Sequence, residues 1–301
     1  MRTLYHPDFE HDSCGFGLIA RLDGRAEYRV IADAIQALER LTHRGAVAPD
    51  GKTGDGCGLL LGLPEEFLRA VAGDGGIEPG ERFTAGAIFL DRNPESAARQ
   101  RERLAAQITR QGLEVAGWRE VPVNEEALGE GARETLPRIE QIFVSAPAGM
   151  DDDAFDRRLF LARRLAETQT EAGDEHDETF YIASLSSTTL SYKGMVMPEY
   201  LARFYPDLAD ARMQTPMALF HQRFSTNTLP RWQLAQPFRM LAHNGEINTI
   251  RGNRNWTRAR RHLLASPQLP ELAEIDPPIA MTGSDSSSLD NMLEMLVIGG
   301  M

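Results

Sequence analysis

The order in which strand-like and helix-like segments follow one another constrains the fold of this chain most strongly. Short apolar segments typical of buried strands occur at 14–22, 59–63, 83–90, 179–186, 188–192, 216–224 and 238–243. Predicted helices fall between them in blocks: 28–41 with apolar residues at helical spacing, the Arg/Glu/Ala-rich 94–110, 151–172 with an acidic start, and the polar 249–264. Because strands and helices do not alternate strictly, the order favours antiparallel sheets covered by helices over parallel βαβ units. The predicted fold class is α+β.

Two details of this order are specific enough to be tested. The neighbouring segments 179–186 and 188–192 resemble a β-hairpin. The last helix is predicted to carry one apolar face, formed by Leu289, Met292, Leu293, Leu296 and Val297.

Charge and hydropathy exclude several classes of protein. The 301 residues include 44 acidic and 32 basic side chains, a net charge of −12, which repels phosphate backbones and argues against nucleic acid as a partner. The sequence has neither an 18-residue apolar run typical of a membrane span nor, in residues 1–13, the apolar core of a secretory signal. Two cysteines, Cys14 and Cys57, are too few for a disulfide framework. These features predict a cytoplasmic protein with no membrane partner.

Two short segments have both a structural and a chemical interpretation. Cys14 precedes Gly-Phe-Gly at the start of an apolar strand, where a cysteine most often packs as a small buried hydrophobe. Asn244-Gly245 is typical of a tight turn. Such a turn also presents a backbone N–H beside an Asn side chain, and two donors of this kind can hold an oxyanion.

Two further segments, taken singly, also allow both a structural and a chemical interpretation. The run 221–228 collects polar groups where an apolar strand ends, and it could be a solvated strand end. Ser284-Asp285-Ser286 precedes the last helix and is typical of an N-cap. No metal site is predicted, because no CxxC or HxxxH spacing links the histidines and the two cysteines. Cys57 is predicted to pack as a buried thiol.

Six segments taken together indicate a protein family more specifically than any one of them does. They occur in the order Cys14-Gly-Phe-Gly17, Leu41-Thr-His-Arg-Gly45, Thr53-Gly-Asp-Gly56, His221-Gln-Arg-Phe-Ser-Thr-Asn-Thr228, the run from Pro237 to Asn253 that contains His243-Asn-Gly-Glu-Ile-Asn248, and Ser284-Asp-Ser286 followed by Leu289-Asp-Asn291. In this order they resemble the N-terminal amidotransferase domain of the glutamate synthase large subunit. That domain is a class II glutamine amidotransferase with the N-terminal-nucleophile (Ntn) hydrolase fold.

The resemblance implies a four-layer αββα sandwich, and it implies that residues 1–13 are a propeptide. Cleavage after Ser13 would make Cys14 the N-terminal residue of a domain spanning 14–301. The α-amine of Cys14, with an ordinary pKa of about 7.7–8.0, could then accept the thiol proton near neutral pH. We expect this domain to be incomplete at its C-terminus, because the family's amidotransferase domain extends further.

The resemblance also assigns roles to individual residues. Cys14 attacks the side-chain amide of L-glutamine, and Asn244 with the Gly245 N–H holds the oxyanion. Arg223, assisted by Thr226, binds the α-carboxylate of glutamine, and Asp285 pairs with its α-ammonium group. Arg44 lies near the nucleophile.

In the complete enzymes of this family the ammonia passes to 2-oxoglutarate in synthase domains or subunits that carry FMN and an iron–sulfur cluster. The resemblance therefore implies glutamine and these synthase domains as partners and no cofactor within this region. A second hypothesis is a non-catalytic or unprocessed module that binds a partner or senses glutamine.

Overall fold

The structure of this chain, a computed structural model, describes residues 15–172, 179–223, 228–243 and 245–300. Eight strands run from Gly15–Ala20 (β1), Cys57–Gly62 (β2), Phe83–Leu90 (β3), Glu114–Glu120 (β4), Arg138–Ser145 (β5), Tyr181–Ser184 (β6), Thr189–Gly194 (β7) and Met217–Gln222 (β8). The helices are Tyr28–Arg40 (α1), Glu65–Asp74 (α2), Pro94–Arg110 (α3), Glu130–Glu134 (α4), Asp152–Ala172 (α5), Leu201–Phe204 (α6), Ile250–Arg260 (α7) and Asp285–Ile298 (α8). Short 3₁₀ turns connect several of these elements, among them Thr42–Arg44.

The strands form two four-stranded sheets in which every described pairing is antiparallel. The first sheet has the order β1-β8-β2-β7 and the second β4-β5-β3-β6. At one end of the first sheet the register aligns Gly15, Gln222, Cys57 and Gly194 in a row across all four strands. The candidate site is built at this end.

The largest apolar cluster lies between the sheets. It joins Leu59 and Phe220 of the first sheet to Ala85, Phe89 and Phe143 of the second. Two helices contribute to the same cluster, α1 through Ile31 and Leu38 and α2 through Phe67. On its other face the second sheet is covered by α3 and α5, whose Leu104, Ile108, Phe155 and Leu159 pack on Ile88 and Ile142.

The α+β class with antiparallel sheets is therefore confirmed. The four-layer sandwich stays a prediction, because the described residues leave part of the first sheet open. Side chains alternate between the two faces of a strand. In β1 Ile19 packs on the core, whereas Phe16 and Leu18 point the other way and are 52% and 60% exposed.

The predicted hairpin at 179–192 is wrong. Its two strands, β6 and β7, are consecutive in sequence but belong to different sheets, with β6 paired to β3 and β7 paired to β2. The segment between them crosses from one sheet to the other. Apolar content identified both strands, but their partners are distant in sequence and carry no local signal.

The segment 238–243, predicted as a strand, is also not one. It forms a turn in which the Phe238 N–H donates to the Leu241 carbonyl (2.9 Å) and the Met240 N–H to Asp290 Oδ1 (2.7 Å). Its backbone groups are thus satisfied by a turn and by side chains instead of a neighbouring strand.

The last helix, α8, forms where the sequence predicts it, but its predicted apolar face is only partly buried, with Met292 packed against an apolar cluster that contains Leu161 and Leu269. The buried residues are mostly polar: Asp285, Ser286, Ser288, Asp290, Asn291, Glu294 and Met295. Leu289 and Val297 of the predicted apolar face are instead exposed. Interactions with buried polar partners, and not apolar packing alone, therefore fix this helix against the protein.

Among the described residues, no helix combines the length and the apolar character that crossing a bilayer requires.

Two leucines of the first sheet test its orientation. Leu59 is fully buried and Leu18 is 60% exposed. We expect Leu59→Ala to lower the free energy of unfolding by about 2–5 kcal/mol through loss of burial and a residual cavity. Leu18→Ala should cost less than about 1 kcal/mol. Urea unfolding of both variants measures the difference, and equal losses would contradict the assignment of the two faces.

Candidate active site

The first part of the site is the end of β1 and β8. A Cβ atom added to Gly15 would lie 3.0 Å from the Gln222 carbonyl oxygen and 3.2 Å from Arg44 Cβ. One added to Gly45 would lie 2.0 Å from Gln222 Nε2. A side chain at either position would force its neighbours to shift. The two glycines therefore bring the Thr42–Arg44 turn against the strand end, with Arg44 beside the residue that follows Cys14.

Arg223, directly after β8, has a strained backbone. Its φ of 101° lies in the left-handed region that favours glycine. Two hydrogen bonds hold it there: its N–H donates to the Gly56 carbonyl (2.8 Å), and its carbonyl accepts from His221 Nδ1 (3.0 Å). Among the described residues the buried Arg223 Nε has no hydrogen-bond partner. A buried guanidinium nitrogen of this kind is suited to an anionic ligand.

Asp55 interacts electrostatically with this arginine, although no role is predicted for it from the sequence. Its Oδ2 accepts a hydrogen bond from the Ala46 N–H (2.7 Å). Burial raises the pKa of Asp55, while the Ala46 N–H and the positive charge of Arg223 oppose the rise. The sequence signal for Asp55 is the Thr53-Gly-Asp-Gly56 motif. The motif alone does not predict which residue its aspartate interacts with.

The second part of the site is the turn segment on either side of Asn244, described as residues 235–243 and 245–247. Gln236, which is fully buried, binds the backbone of His243 with both ends of its side-chain amide. Its Oε1 accepts from the His243 N–H (2.7 Å), and its Nε2 donates to the His243 carbonyl. Ser286 Oγ donates to the same carbonyl (3.1 Å).

The far side of the turn is held by Asp285. Its Oδ2 accepts from the Ile247 N–H (2.7 Å), and its Oδ1 accepts from the N–H of Ser286 (2.7 Å). Gly245 has a φ of 99°, and its N–H donates to His243 Nδ1 (3.0 Å). Because Nδ1 accepts this bond, the His243 ring must be unprotonated at that nitrogen.

The two parts meet over the start of β2. A Cβ atom added to Gly56 would lie 3.0 Å from Ala235 Cβ, and one added to Gly58 would lie 2.9 Å from the Gln236 carbonyl oxygen. Gly58 is paired with His221, one residue before the Gln222 row. The segment that enters the turn therefore crosses the sheet at the end where Gly15 and Arg223 lie.

Backbone strain coincides with these two parts. In the described chain the non-glycine residues with positive φ are Arg223, Glu246 and Thr249, at 101°, 71° and 60°. All three fall in the motifs 221–228 and 237–253. Strain of this kind, costing about 1–3 kcal/mol per residue, typically collects at functional sites.

Comparison with known proteins agrees with this geometry. The profile of the class-II glutamine amidotransferases matches residues 14–301. The chain belongs to this family. It is similar to the glutamate synthase [NADPH] large chains of Azospirillum brasilense (43% identity) and Bacillus subtilis (42%), each time over 99% of this chain and 20% of the relative. It is also 40% identical to the glutamate synthase [NADH] of Saccharomyces cerevisiae, over 99% of this chain and 14% of that protein.

The resemblance to the glutamate synthase amidotransferase domain is thus confirmed. The chain spans about a fifth or less of the length of these relatives.

Of the predicted site residues, the structure describes four. Arg44 and Arg223 lie at the sheet end, and Gly245 and Asp285 lie at the turn. Cys14, Thr226 and Asn244, like the predicted propeptide 1–13, lie outside the described residues.

Two structural predictions near the site are confirmed. Ser284 is the N-cap of α8 and accepts from the Ser287 N–H (3.0 Å). Cys57 is a fully buried free thiol whose Sγ–H donates to the Val196 carbonyl (3.1 Å), and burial raises its pKa far above the ordinary value.

Sequence reasoning missed the buried charges that hold α8. Arg239 donates to the Ile182 carbonyl of β6 (2.7 Å) and pairs with Glu294 of α8 (3.3 Å). Arg163 of α5 pairs with the same Glu294 and with Glu167 (2.8 Å). Burial alone would raise the pKa of Glu167, but the charges of Arg163, Arg239 and Arg164 outweigh it and hold the value at about 2.

Lys193 of β7 is buried at the edge of this charge cluster. Its Nζ donates to the Tyr181 hydroxyl (3.1 Å) and the Gln233 carbonyl (3.2 Å) and lies 4.8 Å from the ring centroids of Tyr181 and Phe238. Burial, reinforced by the positive charge of Arg239, lowers the pKa of Lys193 well below its ordinary 10.5. The amine is therefore neutral in the folded protein over a range of pH in which it is charged when unfolded.

No group of three or more His, Cys, Asp or Glu side chains in the described ranges is arranged to hold a metal ion.

The lowered pKa of Lys193 predicts a dependence of stability on pH. Between its folded-state pKa and 10.5, the unfolded chain binds one proton that the folded chain does not, so the free energy of unfolding rises with pH across that window. Lys193→Met should remove this contribution and flatten the profile, as measured by urea unfolding at a series of pH values. Lys52→Met is the control, because Lys52 is only partly buried and its Nζ donates to the Glu126 carbonyl (2.6 Å). An unchanged slope in Lys193→Met would contradict the neutral amine.

Proposed function

We propose that this chain hydrolyses the side-chain amide of L-glutamine, as the glutaminase part of a glutamate synthase. The observation that carries the proposal is the way the residues on both sides of Asn244 are held. Gln236 and Ser286 fix its entry, and Asp285 fixes its exit. The same end of the first sheet also carries Arg223 and Arg44, beside the residue that follows Cys14.

Cys14 would be the nucleophile once residues 1–13 are removed. Its Cα must lie about 3.8 Å from that of Gly15, because the two are joined by one peptide bond. Before cleavage its nitrogen is an amide and cannot accept a proton. After cleavage the free α-amine takes the thiol proton, and the thiolate attacks the amide carbon of glutamine.

The tetrahedral oxyanion formed by this attack needs donors, and loss of one typically costs about 10²–10³ in rate. Asn244 and the Gly245 N–H would supply them. In the described state the Gly245 N–H is satisfied by His243 Nδ1. Oxyanion binding would therefore exchange a neutral acceptor for a charged one, which strengthens this hydrogen bond in the transition state.

The two ends of the amino-acid substrate would be held by opposite charges. Asp285 is buried, and its carboxylate, which accepts two backbone N–H bonds, supplies the negative charge that an ammonium group needs. The buried Nε of Arg223 suits the α-carboxylate, with Thr226 assisting and Arg44 near the nucleophile. Ammonia leaves with a proton from the α-ammonium of Cys14. Water then hydrolyses the thioester and releases glutamate.

The relatives, which are glutamate synthases, support a more specific role for the released ammonia. We propose that the ammonia passes to 2-oxoglutarate in synthase domains or subunits that bind this one. FMN and an iron–sulfur cluster would belong to those partners. A typical cluster takes four cysteine thiolates, and these 301 residues contain two. Hydrolysis of glutamine by Cys14 requires neither group.

Mass spectrometry and kinetics test this proposal together. We expect a protein that begins at Cys14 to convert glutamine to glutamate and ammonia, and Cys14→Ala to abolish the conversion. Asp285→Asn keeps an acceptor for the Ile247 N–H but removes the negative charge. It should raise KM for glutamine by about 10–100-fold, the effect of losing a charged hydrogen bond. The matched control is Asp210→Asn, which removes one charge from a partly exposed aspartate paired with Arg212 (2.7 Å).

Two results would contradict the proposal. One is a protein that begins at Cys14 and does not hydrolyse glutamine. The other is an Asp285→Asn variant whose KM matches that of Asp210→Asn. A chain that keeps Met1 and binds glutamine without turnover would instead identify the non-catalytic module.

A further inference from the structure

We infer that Gln236 is the residue that positions the oxyanion-binding turn. The inference rests on the proposed function, because it concerns how the Gly245 N–H comes to face the reacting carbonyl. The side chain of Gln236 binds the backbone of His243, and its inferred effect passes through that backbone.

The side chain of Gln236 is suited to this role because it is both a donor and an acceptor. Its Oε1 takes the His243 N–H (2.7 Å) and its Nε2 gives a hydrogen bond to the His243 carbonyl. That carbonyl belongs to the peptide bond leading into Asn244. Two bonds to one residue fix both the position and the plane of its backbone, as a neighbouring strand would do. The backbone of His243, at the end of 238–243, therefore needs no neighbouring strand to satisfy its hydrogen bonds.

Gln236 is itself rigidly placed. Its side chain is fully buried, and its own carbonyl oxygen lies over Gly58 of β2, at a distance that only glycine allows. Gln236 thereby fixes the turn relative to the first sheet. Gly15 and Arg223 lie at the same end of that sheet. A side chain whose rotamer is locked by burial can hold a catalytic group within the small tolerance that catalysis needs.

The effect reaches Gly245 through the histidine ring. His243 Nδ1 accepts the Gly245 N–H (3.0 Å), so the direction of this N–H depends on where the His243 backbone places the ring. By fixing the backbone of His243, two residues before Gly245, Gln236 therefore sets where the Gly245 N–H lies before it exchanges His243 Nδ1 for the oxyanion. Displacement of such a donor by about 1 Å can cost 10²-fold in rate.

Gln236→Met, of similar length but without polar atoms, tests the inference. We expect kcat to fall about 10–100-fold while KM for glutamine changes less than about threefold, because the loss is confined to the transition state. Gln141→Met is the matched control. Gln141 is also buried and loses two bonds, from Arg119 (2.8 Å) and to the Tyr192 hydroxyl (3.1 Å), but it lies in the second sheet. Its kcat should stay within about twofold of wild type.

Gln236→Glu supplies a readout that a merely structural role would not move. An ionised carboxylate cannot donate to the His243 carbonyl, whereas a protonated one donates and accepts as the amide does. The kcat of Gln236→Glu relative to wild type should therefore rise as the pH falls. This isosteric variant also keeps the test valid if Gln236→Met fails to fold.

Hydrogen–deuterium exchange of the segment 237–249 tests the positioning independently of turnover. We expect the Gly245 amide to exchange at least about tenfold faster in Gln236→Met than in wild type or Gln141→Met. The inference is overturned if exchange is unchanged, or if kcat falls equally in both methionine variants. A wild-type protein without glutaminase activity would refute the proposed function, while the exchange result would still decide the role of Gln236.

Discussion

The buried charge cluster between α5 and α8 is the interaction on which the site depends. Three guanidinium groups (Arg163, Arg164, Arg239) face three carboxylates (Glu167, Asp290, Glu294) in a part of the protein from which water is largely excluded. Buried charges are tolerated only when paired, so the members hold one another in place. Because the buried face of α8 is mostly polar, these pairs help fix the helix, and Asp285 at its first turn depends on that placement.

The first sheet supplies the second fixed reference. Its register brings Gly15, Gln222 and Cys57 into one row, and glycines at 15, 45, 56 and 58 let neighbouring segments approach closely. The charged helix and the glycine-lined sheet end meet through the segment 235–247. One end of that segment crosses β2, and the other end is bound by Asp285. The strained backbones of Arg223 and Glu246 lie where these constraints act.

Local signals in the sequence predicted much of this. Helices with clear periodicity or caps, such as α3 with Pro94 at its start, were located closely, and the motifs identified Arg223, Gly245 and Asp285 as candidates. The missing parts are those set by tertiary contacts. The strands β6 and β7 look like a hairpin because nothing local says that their partners lie in different sheets. The apolar spacing of α8 does not predict its buried polar face. That face is set by Arg163 and Arg239, which are distant in sequence and pair with its carboxylates. Gln236 carries no motif signal, since its role exists only once His243 has folded against it.

The identity of the nucleophile is the central claim, and covalent trapping tests it most directly. A glutamine analogue carrying an electrophilic diazoketone alkylates the thiol that attacks the side-chain amide carbon of glutamine, and peptide mass spectrometry locates the adduct. Cys57 is fully buried, hydrogen-bonded to Val196 and raised in pKa by burial, so it should not react in the folded protein. The account predicts one adduct, on Cys14 as the N-terminal residue. An adduct on Cys57, or none on a folded protein that begins at Cys14, would contradict it.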